Sequence, residues 1–99
     1  MKHVETRTDL LFRAVYPVIK PCTPLEGEHG LTCLCEIGGE SFTVTMNDRS
    51  VWFDNENNTF SHGVDFEPYM ADWHCTEEAV RLAHKVRSFF DSKVNNESN

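Results

Sequence analysis

Leu31-Thr32-Cys33-Leu34-Cys35-Glu36-Ile37-Gly38-Gly39-Glu40-Ser41-Phe42-Thr43-Val44-Thr45-Met46 places apolar residues at alternate positions on both sides of a Gly-Gly pair. Alternation of period two puts one set of side chains on each face of a strand, and Gly-Gly suits the positive φ angles of a two-residue hairpin turn. Such a turn pairs Ile37 with Glu40, and therefore Cys35 with Phe42, Cys33 with Val44 and Leu31 with Met46. All of those apolar residues then share one face, so turn chemistry and hydrophobic pattern specify the same register. Asn47-Asp48 is read as a second two-residue turn, which pairs Val44 with Val51 and Phe42 with Phe53 and adds a third strand to that face. On the opposite face this register sets Leu34, Thr43 and Trp52 side by side, an apolar row among polar neighbours. Beyond the polar stretch 54–58, Thr59 to His62 is a candidate short fourth strand.

Helices flank the meander. Thr8 or Asp9 is the expected N-cap of an opening helix that carries Leu10, Leu11, Ala14, Val15 and Val18 at helical spacing and ends near Pro17. Pro21, Pro24, Gly27 and Gly30 then read as a loop. Thr76, followed by Glu77 and Glu78, is the expected N-cap of a closing helix, because both carboxylates suit the positive end of a helix dipole. Its apolar stripe is Ala79, Leu82, Ala83, Val86, Phe89 and Phe90, with Glu77, Arg81 and Lys85 on the opposite face. These elements specify one α+β domain over residues 1–92, with a polar, non-periodic and disordered tail expected over 93–99.

The net charge of -7 is unevenly placed. Between Glu26 and Glu78 there are twelve acids and one base, Arg49, whereas the other eight bases lie outside that stretch. Binding to nucleic acid or to an anionic membrane rests on Lys and Arg, so the acidic middle argues against both and favours a basic protein partner. The longest uninterrupted apolar run is three residues, against roughly 20 needed to span a bilayer, and Met1 to Asp9 lacks the apolar stretch of a secretory signal. A soluble cytoplasmic protein with four free thiols is the expectation.

Three constellations could carry chemistry. Cys33, Cys35, His74 and Cys75 would make a four-ligand zinc module, but the hairpin register assigns both strand cysteines to the core. A nucleophilic cysteine would need one of His3, His29, His62, His74 or His84 beside it, and no stretch matches a catalytic signature, which leaves a small enzyme with an unrecognised site as a further alternative. Asp54, Glu56, Asn58 and Asp65 fall at positions 1, 3, 5 and 12 of a calcium loop, yet Thr59 occupies the position that requires glycine. No cofactor is expected.

The expected architecture is a three- or four-stranded antiparallel meander with N- and C-terminal helices packed on its apolar face, in the order α-β-β-β-(β)-α. That order resembles the double-stranded RNA-binding domain in topology alone; the resemblance covers no motif, and the acidic meander has the wrong sign for RNA. The functional expectation is a non-enzymatic interaction or inhibitor protein that presents Leu34, Glu36, Glu40, Trp52, Asp54 and Glu56 to a basic, nucleic-acid-binding partner, its carboxylates standing where phosphates would bind.

Overall fold

The computed structural model describes residues 5–27, 30–57 and 59–97, with side chains at all of these except 26, 27 and 93–97. His3, His29 and Asn58, weighed above as candidate site residues, lie outside the described residues. The chain runs through α1 (Arg7–Ile19), β1 (Cys22–Gly27), β2 (Gly30–Ile37), β3 (Glu40–Asn47), β4 (Ser50–Asn55), β5 (Ser61–Asp65) and α2 (Asp72–Glu97). The strands form one antiparallel sheet in sequence order, and the fold is α+β.

The β2–β3 hairpin has the register that Gly38-Gly39 specifies, with Ile37 opposite Glu40, Cys35 opposite Phe42 and Cys33 opposite Val44. Both turn glycines have positive φ, 58° at Gly38 and 80° at Gly39. The next turn differs from expectation. Its central residues are Asp48 and Arg49, because Asn47 holds the preceding position and its Oδ1 accepts hydrogen bonds from the backbone N–H groups of Arg49 (2.8 Å) and Ser50 (3.0 Å). Val44 therefore pairs with Phe53 instead of Val51, and Phe42 with Asn55 instead of Phe53. The slip is two residues, one full pleat, so Val51 and Phe53 still face the core although their partners change.

Among the described residues the sheet has five strands, not three or four. Residues 22–27, expected to be a loop, form edge strand β1, with Thr23 opposite Leu34 and Leu25 opposite Thr32. An edge strand tolerates Pro24 because one of its sides has no neighbour to receive an N–H. The last strand covers 61–65 instead of 59–62, and Gly63 lies opposite Trp52.

Both helices cover one face of the sheet. The N-cap of α1 is Thr6, two residues earlier than Thr8. The Asp9 N–H donates to Thr6 Oγ1 (3.2 Å) and the Thr6 N–H donates to Asp9 Oδ2 (2.9 Å), a reciprocal box that satisfies two otherwise unpaired donors. This helix also passes through Pro17 to Ile19. Pro17 sits on the exposed side, where the carbonyl it leaves unpaired meets water, while Leu11, Val15 and Ile19 at i, i+4 and i+8 are fully buried.

The closing helix starts at Asp72, a turn before the expected N-cap at Thr76, whose hydroxyl instead donates back to the Trp73 carbonyl (2.8 Å). The earlier start extends the buried stripe to Cys75, Ala79, Ala83, Val86 and Phe90, whereas Phe89 is mostly exposed. Its backbone continues past Ser92 to Glu97, into the stretch expected to be a disordered tail.

Two arginines tie the layers together. Arg7 donates from Nε to Asp72 Oδ1 (2.9 Å), from one terminal nitrogen to the Asp48 carbonyl (2.9 Å) and from the other to the Met70 carbonyl (2.7 Å), joining α1, the β3–β4 turn and the entry to α2. The hydrogen bond to Asp72 raises its pKa further above the ordinary arginine value. Arg87 on α2 donates to the Val18 carbonyl near the end of α1 (2.9 Å).

Candidate functional site

With the helices on one side, the other face of the sheet is open. Its outward residues form cross-strand rows, one running Thr23, Leu34, Thr43, Asp54 and Ser61, and the next running Leu25, Thr32, Thr45, Trp52 and Gly63. The expected Leu34–Thr43–Trp52 row does not exist. The two-residue slip at the β3–β4 turn moves Trp52 opposite Thr45 and brings Asp54 into the row of Leu34.

A groove of about 920 Å³ crosses four strands at the end of this face. Its walls carry Thr23, Leu34, Thr43 and Asp54 on one side and Glu36, Ser41 and Glu56 on the other. Between them Phe42 and Asn55 turn their side chains toward the helices and are almost fully buried, which leaves main chain at the floor. Asp54 accepts a hydrogen bond from the Ser61 hydroxyl (2.5 Å). Among the described residues neither Glu36 nor Glu56 has an ion-pair or side-chain hydrogen-bond partner, so both carboxylates are open to a ligand's donors. Leu34 is 47% exposed between them, an apolar surface for an aliphatic stem.

Four of the six residues expected to bind a partner, namely Leu34, Glu36, Asp54 and Glu56, therefore line one groove. Trp52 lies in the adjoining row, 36% exposed, with its indole over the backbone of Gly63. Glu40 is elsewhere. It pairs with inward-facing Ile37, and its carboxylate accepts from Asn55 Nδ2 (3.1 Å) at the edge of the core.

The zinc quartet does not assemble. Cys33 and Cys35 are buried in the sheet, Cys75 is buried at the start of α2, and the His74 ring stacks on Trp73 with Nε2 3.6 Å from Glu78. Among the described residues no group of three or more His, Cys, Asp or Glu side chains is placed to hold a metal ion. Nor is any thiol activated. Burial raises the pKa of all four cysteines, pushing Cys33 up to about 12 and Cys35 to about 11, the opposite of the depression that makes a nucleophile.

Comparison with protein-family models, curated proteins and solved structures finds no match. The groove's chemistry is then the guide to function. Pro21, Cys22 and Thr23 also border it, residues that a loop reading of 21–27 leaves out. Their signal was the alternation of Thr23 and Leu25 against Cys22 and Pro24, interrupted by the two prolines. Among the described residues no helix is long and apolar enough to cross a membrane.

Proposed function

We propose that the open sheet face docks a basic segment of a partner protein, which makes this chain a non-enzymatic interaction or inhibitor protein. The observation that supports this reading is the placing of Glu36, Asp54 and Glu56 around exposed Leu34 in one groove, on the face that the helices leave uncovered. Carboxylates so placed suit Lys or Arg side chains, whose apolar stems need a surface such as Leu34 and whose charged ends need acceptors. A partner that otherwise binds nucleic acid offers such a surface, and the carboxylates would then occupy the positions of phosphates. Trp52, in the adjoining row, supplies the rigid aromatic area that central interface residues commonly provide.

The test is affinity capture from the source cell followed by titration of the captured protein with wild type, Leu34→Ser and Trp52→Ala. A basic partner is expected, displaced by duplex DNA, with binding weakened by about 2 kcal/mol in Trp52→Ala and by a smaller amount in Leu34→Ser. Binding that is indifferent to salt, to DNA and to both substitutions would remove the open face from the interaction.

A further inference from the structure

Beside the acidic groove, and independent of what docks there, three thiols meet. Cys22 on edge strand β1 lies directly opposite Cys35 on β2, and its sulfur is hydrogen-bonded to the thiol of Cys33, two residues away on the same face of β2. Cys22 is only partly covered, Cys35 is 7% exposed and Cys33 is fully enclosed. Cys22 and Cys35 share the row of Phe42 and Asn55, so their thiols point to the helix side of the sheet and only their main chain borders the groove.

We infer that Cys22 and Cys35 are a thiol–disulfide modification site, oxidised by small-molecule disulfides of the glutathione class to a cross-strand bond that staples β1 to β2. Directly opposed residues of an antiparallel pair have Cα atoms about 4.5 to 5.5 Å apart, inside the span a disulfide accepts. The diagonal from Cys22 to Cys33 is about 7 to 8 Å and exceeds it without backbone movement. Cys33 is thus the hydrogen-bond partner of Cys22 and not its bonding partner.

The chemistry balances as two exchanges. The Cys22 thiolate attacks one sulfur of oxidised glutathione, forming a mixed disulfide and releasing one glutathione thiolate. The Cys35 thiolate then attacks the Cys22 sulfur, forms the internal bond and releases the second glutathione. Two cysteine thiols are oxidised, one disulfide is reduced to two thiols, and the two cysteine protons pass to the released thiolates. Exposure orders the steps, since Cys22 is the accessible member of the pair. Burial raises the pKa of both thiols, Cys35 to about 11, so the exchange runs through a small thiolate fraction and is slow at neutral pH; at Cys22 the hydrogen bond from Cys33 partly offsets this by favouring the thiolate.

The experiment incubates the full chain with oxidised glutathione, quenches with an alkylating reagent and determines intact mass and the linked peptides after cleavage at glutamate. Expected are an internal disulfide in wild type and in Cys33→Ala, reversal by dithiothreitol, and arrest of Cys35→Ala at a single glutathione adduct on Cys22. In Cys22→Ala, a small substitution at a partly buried edge position packed against the core, neither adduct nor disulfide should form at Cys33 and Cys35 in the native protein. An internal disulfide in Cys35→Ala, or wild type that accumulates adducts without an internal bond, would overturn the assignment.

Discussion

At the scale of single residues, the hairpin tip is the most demanding place in the molecule. A Cβ built on Gly38 would lie 2.5 Å from the Phe90 carbonyl oxygen and 2.7 Å from the Phe90 Cβ, because the tip packs against the backbone of α2. At Gly39 a Cβ would meet nothing within 4 Å, although φ is again positive. The two glycines therefore separate two costs that usually come together. Gly39→Ala carries backbone strain alone, about 1 kcal/mol. Gly38→Ala adds a collision that only movement of the hairpin away from α2 can relieve, so a loss of about 3 kcal/mol is expected. Denaturant unfolding of both variants checks this, and equal losses would mean that the tip does not press on the helix.

At the scale of elements, the strands show which signals were legible and which were not. Gly38-Gly39 and the alternation around it agreed independently, and that hairpin has the expected pairs. The following turn was misplaced by one residue because Asn47 was read as a central turn residue, whereas its side chain holds the turn from the preceding position. Facing survived that error because the resulting slip was an even number of residues, but lateral neighbours did not, so in the candidate site Trp52 moved from the row of Thr43 to that of Thr45 and Asp54 from the row of Ser41 to that of Thr43. Pro24 concealed an edge strand and Pro17 the last turn of α1, in both cases because the position that lacks an N–H faces outward. The thiols on β2 follow from the same facing rule and carry a pH consequence. Against an ordinary cysteine value of 9.0, burial raises Cys33 to about 12 and Cys35 to about 11. An unfolded chain loses these protons at lower pH than the folded one, so their contribution to stability is complete below about pH 9 and is lost as pH rises toward 11 and 12. Stability measured from pH 8 to 11 should fall less steeply in Cys33→Ala/Cys35→Ala than in wild type, and parallel curves would contradict the burial of this pair.

At the scale of the whole molecule, charge is segregated by layer. From Gly30 to Glu67 the chain carries seven acids and one base, Arg49, whereas Arg7, Arg13, Arg81, Lys85 and Arg87 lie in the helices. In α2 the acids are partly neutralised in place, with Arg81 3.4 Å from both Glu77 and Glu78 and Arg87 3.6 Å from Asp91. The uncompensated negative field therefore lies on the sheet side, and the groove concentrates it. Net charge and local field can be separated by removing the same two charges in different places. Glu36→Gln/Asp54→Asn and Glu77→Gln/Glu78→Gln change the net charge equally, but only the first pair borders the groove. If the groove steers a basic partner, the first double variant should lower the association rate by roughly tenfold at low salt, while the second changes it little. The gap between them should close as ionic strength rises and the Debye length shrinks below about 8 Å. Dissociation should be less affected, since exposed charges act mainly on encounter. Stopped-flow association with the captured partner at two salt concentrations measures all of this; equal slowing by both variants would assign the effect to total charge and detach it from the groove.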